Sequence, residues 1–334
     1  VKRAPFIEAR SARWERLEQL VASMDRARGQ RRGAVPGAEE LASLYRRTCQ
    51  DLALAKHRMY GRALIERLNS LALAARNHVY RDNTRVLSRT ARFFGRDFPR
   101  YVRTEWRFFW ISALVYLVPL ATMMLLARTR PDLMFAAVDP ELVQQFEEMY
   151  DPAERVTLGR TADQAVAMFG FYVQNNVGGD IRAFAGGALW GVGTLLFLLF
   201  NGVVHGAVFG HVSTIGFGDM LWPFVSGHVT IEMSAFFIAS AAGLRVGAAL
   251  IAPGRRTRAR ALRDDSARTL GMFAGAVAMT VAAAFVEGFW SASAAPVALK
   301  YAVGALLAAA TVLYFTLAGR GAPEQADEAR TPRS

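Results

Sequence analysis

Asn201-Gly-Val-Val-His-Gly206 lies inside the apolar run 184–209, and Gly227-His-Val-Thr-Ile-Glu232 heads the next run, 224–251. A third piece, Val286-Glu-Gly-Phe-Trp290, closes the run 270–290. At about 1.5 Å rise per residue, a bilayer core takes about 20 apolar residues, so each run is long enough to cross. Each therefore carries an amide or ionisable side chain where lipid would surround it. Such groups are costly in hydrocarbon and by default face a protein interior or a water-filled cavity. Asn201 and His205 are four residues apart, as are His228 and Glu232, and that spacing puts each pair on one helix face. With Glu287 they are expected to form one polar cluster between helices.

Working outward, the run 108–127 also spans, and the run 297–317 does so if Lys300, near its end, snorkels to the headgroups. The region around 166–177 ends in Gln174-Asn175-Asn176 and is less apolar. Charge decides how to read it. Before residue 107 there are 23 Lys/Arg against 11 Asp/Glu, and the segment 253–268 holds six Arg; both are expected to be cytoplasmic. The loop 128–163 carries four Arg against eight acidic residues and is the expected outer loop. An odd number of crossings must separate the outer loop from 253–268, so 166–177 is read as a short or broken span. A re-entrant segment elsewhere in this stretch would restore the parity equally well.

The expected fold class is an all-α polytopic membrane bundle of about six spans. A basic cytoplasmic helical domain (1–106) precedes the bundle (107–318), and a flexible cytoplasmic tail (319–334) follows it. The expected location is the bacterial inner membrane with both termini inside. Residues 1–20 carry Arg and Glu throughout and read as no signal peptide. In the N-terminal domain, Trp14, Leu17, Leu20, Val21 and Met24 recur at helical spacing, and 29–37 reads as a loop. One long helix is then expected from 39 to about 80, with Leu41, Tyr45, Thr48, Leu52, Ala55, Met59, Leu64, Leu68, Leu71 and Ala75 on its buried face. Arg46, Arg47, Lys56, Arg58 and Arg67 form the opposite face, solvated or meeting a partner or headgroups. Phe93, Phe94 and Phe98, interleaved with arginines, read as an interfacial segment.

The net charge of +12 fits juxtamembrane segments near anionic lipid; no nucleic-acid-binding signature accompanies it, and no nucleic-acid partner is expected. Cys49, the only cysteine, excludes an internal disulfide and is expected to be a small buried residue. No cofactor motif, phosphate loop or nucleophile constellation is present, so no cofactor and no catalytic residue are expected. No metal is expected either: catalytic zinc takes about three ligands plus water, and no His-Glu-x-x-His spacing occurs. A bland alternative for the cluster is that His228 and Glu232 only pair within one helix while Asn201 caps a neighbouring backbone. The other is a cavity for ion, proton or lipid handling.

Gly202, Gly206 and Gly210 form a four-residue ladder, as do Gly243 with Gly247 and Gly271 with Gly275. Such ladders let helix backbones approach closely in lipid; they suit a tight bundle and are compatible with a homodimer. Thr214-Ile-Gly-Phe-Gly-Asp219 matches the loop type of potassium filters. No pore helix precedes it in sequence, so a glycine-rich turn is the expected form.

Asn175-Asn176, a glycine-rich run, Asn201-Gly202, Gly227-His228 with Glu232, Gly243-Leu-Arg-Val-Gly247 and the segment 284–291 with Glu287 occur in an order that resembles the stage II sporulation protein M family of integral membrane proteins. A typical member has Pro-His-Gly before the Glu; here Pro223 lies further back and Gly227 precedes His228. The resemblance implies a membrane scaffold or assembly component linked to cell-envelope remodelling rather than an enzyme. Its implied partners are membrane lipids and other membrane or cytoplasmic proteins, among them a MoxR-type AAA ATPase. The rival expectation is a transporter- or channel-like protein that uses His228, Glu232, Glu287 and Asn201 as a polar relay.

Overall fold

The computed structural model describes residues 3–29, 38–151 and 161–320. Among these residues every regular element is helical, and the chain divides into two compact units, Val1–Arg92 and Phe93–Ser334.

The first unit contains α1 (Arg3–Glu8), α2 (Ser11–Gly29), α3 (Leu41–His57) and α4 (Arg62–Arg92). The single helix expected from 39 to 80 is two. Met59 (φ 49°) and Gly61 (φ 100°) take left-handed backbone, which reverses the chain so that α4 packs back on α3. The periodic face survives the break, because both halves turn it inward. Leu41, Ala55, Leu64, Leu68, Leu71 and Ala75 join Phe6, Trp14, Leu17 and Val21 in one core. Met59, expected on that face, is 86% exposed because it sits on the turn itself. Cys49 is half-buried rather than enclosed. Residues 30–37, expected as loop, and 321–334, expected as a flexible tail, lie outside the described residues.

A polar knot that the periodic pattern does not reveal crosses this core. Asp51, 5% exposed, accepts hydrogen bonds from Trp14 Nε1 (2.9 Å), Arg13 (2.7 Å) and Arg10 (3.0 Å). Asp51→Ala leaves a buried indole N–H and two guanidinium groups without their acceptor, so the unit should lose about 2–4 kcal/mol. Urea denaturation of a fragment spanning 1–92 measures it. A midpoint unchanged from wild type would mean that the knot adds nothing to stability.

The second unit opens with a π turn, Phe93–Asp97, and α5 (Phe98–Thr104). Residues 93–104 therefore group with the bundle, although the sequence places them with the basic domain. Phe98 is fully buried against Phe315 and the open face of Gly275, so this segment inserts its rings between helices rather than lying at the surface. Then come α6 (Trp106–Thr129), α7 (Pro131–Ala137), α8 (Pro140–Tyr150), α9 (Ala162–Ala185), α10 (Val192–Thr214), α11 (Gly218–Ser226), α12 (Val229–Ile251), α13 (Arg258–Phe285) and α14 (Val297–Leu317).

Among the described residues five stretches are long and apolar enough to cross a membrane: α6, α10, α12, α13 with the π turn that extends it to Ser291, and α14. With them the chain is a multi-pass membrane protein. α12 is central, with 67% of its most apolar window buried against 11% for α14. The stretch read as a short or broken span is instead an unbroken 24-residue helix, α9. A capping box of Thr161 and Gln164 starts it, and it packs on α12 and α13. Its polar side chains keep it below the composition of a membrane span, and that is what made it look short.

The glycine ladders are used inside the chain. A methyl group at Gly202 or Gly206 would run into the backbone of Tyr116 or Leu120 on α6, and one at Gly247 into the backbone at Gly191. Gly243 faces the carbonyls of Ala183 and Phe184 at the end of α9, and Gly271 and Gly275 seat the rings of Tyr101 and Phe98. Covered by their own chain, these ladders mark no face for a second copy.

Two further expectations change or sharpen, and an ion-pair network accompanies them. Lys300 does not snorkel: it is 7% exposed, and its Nζ donates to the carbonyl of Ser291 at 2.9 Å. That carbonyl is freed where the π turn ends. Residues 214–219 form a turn, with Gly216 at φ 93°, leading straight into the nine-residue α11. Arg245, on α12, forms ion pairs with Asp265 at 3.0 Å and with Glu105 at 3.4 Å, and Glu105 accepts a hydrogen bond from Arg268 at 2.7 Å. This network ties α12, α13 and the α5–α6 corner together at one end of the bundle.

Candidate functional site: a buried His–Glu–Glu cluster

His228 is the residue that precedes α12, at the corner with α11, and is 5% exposed. One turn on, Glu232 points back along the same face, with its Oε2 3.7 Å from Nε2 of His228. Glu287 comes from another element, the π turn Val286–Ser291, and places Oε1 3.9 Å from the same nitrogen. It is 7% exposed, while the side chain of Glu232 keeps 19% of its surface open.

Local chemistry explains how the three arrive together. Gly227 lets the corner lie on the π turn, where a Cβ would come within 2.9 Å of Ser291 Oγ and 3.1 Å of Trp290. The wider π turn sets Glu287 and Ser291, four residues apart, on one side. Such turns interrupt α-helices most often at functional positions. Ser291 Oγ and His228 Nδ1 then share a 2.9 Å hydrogen bond. On the other side Gly288 faces Phe169 of α9, where an added Cβ would come within 3.2 Å of the Phe169 Cβ and 3.3 Å of its Cα.

α9 supplies the next ring of polar groups. Asn176 donates from Nδ2 to Oε2 of Glu287 at 3.4 Å, and accepts from the exposed Asn175 at 2.9 Å. One helical turn further, Asp180 is 1% exposed and accepts from Thr280 of α13 at 2.5 Å. On α6, the hydroxyl of Tyr116 shares a 2.6 Å hydrogen bond with Nδ1 of His205.

The expected cluster is therefore brought together in part. His228, Glu232 and Glu287 share one locus. His205 instead bonds the hydroxyl of Tyr116, and Asn201 turns away to bond the carbonyl of Phe197 in its own helix at 2.7 Å. His211 is elsewhere, against Glu147 of α8. The reading missed Asp180, Ser291 and Tyr116. Asp180 follows Asn176 by four residues, and Ser291 follows Glu287 by four. That spacing is the same signal that picked out His228 and Glu232, and it was available in both places.

The sequence profile of a domain of unknown function (DUF8413) matches residues 4–81, nearly the whole first unit. No curated protein and no solved structure matches the chain. The profile described as stage II sporulation protein M matches residues 108–292. That is more than half of the 334 residues, and it takes in α9 and all of the His–Glu–Glu cluster. By that match, on a helical bundle with five candidate spans, this chain belongs to the stage II sporulation protein M family.

Proposed function

We propose that the membrane unit conducts or exchanges a small cation, proton or metal ion, across the bacterial inner membrane along the polar line built on His228, Glu232 and Glu287. One observation carries the reading: an imidazole lies within 4 Å of two carboxylates donated by separate elements inside a lipid-crossing bundle. A charge held in hydrocarbon costs several kcal/mol unless it is paired or hydrated, and intramembrane Asp, Glu and His mark ion pathways and proton relays for that reason. A purely structural pair would need only His228 and Glu232. Here Asn176 and Asp180 extend the polar surface for a further turn along α9, toward Thr280. α9 is taken as the sixth crossing, which leaves both termini cytoplasmic, and no catalytic step is assigned. Full-length protein in liposomes loaded with a pH-sensitive or metal-sensitive dye tests this. Flux above that of empty vesicles, lost in Glu232→Gln, is expected; wild-type vesicles as tight as empty ones would end the reading.

A second reading assigns the first unit a recruiting role in cell-envelope assembly. A surface cavity of about 350 Å³ there is lined by Arg10, Arg13, Arg47, Gln50 and Asp51. Three guanidinium groups around one carboxylate leave positive charge for an acidic segment of a partner protein, for which a MoxR-type ATPase is the candidate. Replacing residues 1–92 with an unrelated soluble domain should abolish co-purification of the partner, and unchanged pull-downs would remove the assignment.

A further inference from the structure

Three side chains of the cluster bring metal-ligating atoms together: Nε2 of His228 lies beside Oε2 of Glu232 and Oε1 of Glu287. The nitrogen is 3.7 and 3.9 Å from the two oxygens, and one donor from each residue can be chosen so that all lie within 4.8 Å of one another. The nitrogen–oxygen separations are too long for hydrogen bonds. They are close to the roughly 3.4 Å that separates donors arranged tetrahedrally around a metal at bonds of about 2.0–2.2 Å. Small side-chain movements would close the difference.

The surroundings point the same way independently. Metal-ligating imidazoles hold their second ring nitrogen in a hydrogen bond, which fixes the tautomer and aims the free lone pair at the ion. His228 does so through Nδ1 and Ser291 Oγ at 2.9 Å. In the tautomer that donates Nδ1–H to Ser291, Nε2 turns its lone pair toward the two carboxylates, and a cation held between the three groups is stabilised by all of them. Ligating carboxylates are also held from behind, as Glu287 is by the Asn176 amide.

We propose that His228, Glu232 and Glu287 bind one divalent transition-metal ion. One imidazole with two carboxylates, and no thiolate, suits the zinc, manganese and iron(II) class; hard magnesium or calcium sites use oxygen donors alone. The inference rests on the cation-handling reading and names the ion that the site takes. Sequence spacing hides it because the third ligand lies more than fifty residues beyond the other two, on a different element.

The test uses the full chain, tag removed, in detergent, stripped with a chelator and dialysed against Zn²⁺, Mn²⁺ or Co²⁺. Elemental analysis should find one ion per chain, and Co²⁺ should give visible d–d bands. Glu232→Gln/Glu287→Gln should lower affinity by a factor on the order of 100 or more, and Ser291→Ala by about 10–100-fold. His228→Ala should shift the Co²⁺ bands as the nitrogen ligand is lost. If the double variant misfolds on size exclusion, His228→Ala and Ser291→Ala carry the test. Wild-type protein that takes up no metal, or variants that hold it as wild type does, would overturn the proposal. Proton flux without metal binding would sink the metal site and leave the transport reading. Stoichiometric metal on a protein that moves nothing would do the reverse.

Discussion

Glu287→Gln in the full chain, reconstituted into liposomes, should cut cation flux by a factor on the order of 100. Gln has nearly the volume of Glu and can still accept from Asn176, so packing is preserved. What disappears is a negative charge 3.9 Å from His228 Nε2, on the carboxylate that links the imidazole to α9. An amide neither carries a proton through the pathway nor neutralises a cation within it. Glu148→Gln is the control: Glu148 is exposed on α8, where it bonds only Gln144, and flux should not change. Equal flux in the wild type and Glu287→Gln would show that the cluster serves packing alone. Measured together with far-UV circular dichroism, the two variants separate loss of transport from loss of fold.

The second large effect concerns the bundle itself. Gly206→Leu should leave little or no monodisperse protein on size exclusion. Its Cβ would fall on the carbonyl of Leu120 and within 2.7 Å of that residue's Cα, so the obstacle is backbone, which cannot rotate away. Nor can α10 pull back as a body. A Cβ at Gly202 would likewise fall on the Tyr116 backbone, and one at Gly210 within 2.8 and 2.7 Å of Met124 and Ala127, so three successive turns lie flush on α6. Overpacking of this kind costs about 3 kcal/mol or more, against total stabilities of roughly 5–15 kcal/mol. The shift would also displace His205, next in the chain, from Tyr116. Gly170→Ala on α9, where an added methyl meets nothing within 4 Å, should be harmless. Gly206→Leu protein that elutes like wild type would show that α6 and α10 are less tightly joined than described.

These two outcomes bear on different levels of the molecule, and the sequence was unequally informative about them. The ladder at Gly202, Gly206 and Gly210 was legible as a close helix contact, because small residues at four-residue spacing have few other uses in lipid. Its partner was not legible: the same ladder would serve a homodimer, and only the coordinates assign it to α6. The N-terminal core was readable from Trp14 through Ala75, yet the break at Met59–Gly61 was not. The apolar period runs through the turn unbroken when a hairpin folds the same face back on itself. α9 looked short because Asn175, Asn176 and Asp180 dilute its apolar character, and those same residues are why it matters. Lys300 looked like a snorkelling lysine; its distance from the helix start suggested an exit to water, but a carbonyl left free by the π turn was nearer.

By itself the sequence determined that this chain crosses a membrane several times, and that His228, Glu232 and Glu287 lie in runs where an ionisable group is costly. Both follow from the free energy of moving each segment and each charge out of water, a property of the residues in their runs. Tertiary structure alone decided which polar groups meet. The rotation of α12 against α13, the wide turn at Val286–Ser291 and the close seat at Gly227 bring His228 to Glu287 and leave Asn201 facing its own backbone. Those are outcomes of packing between helices far apart in the chain, and no local spacing encodes them.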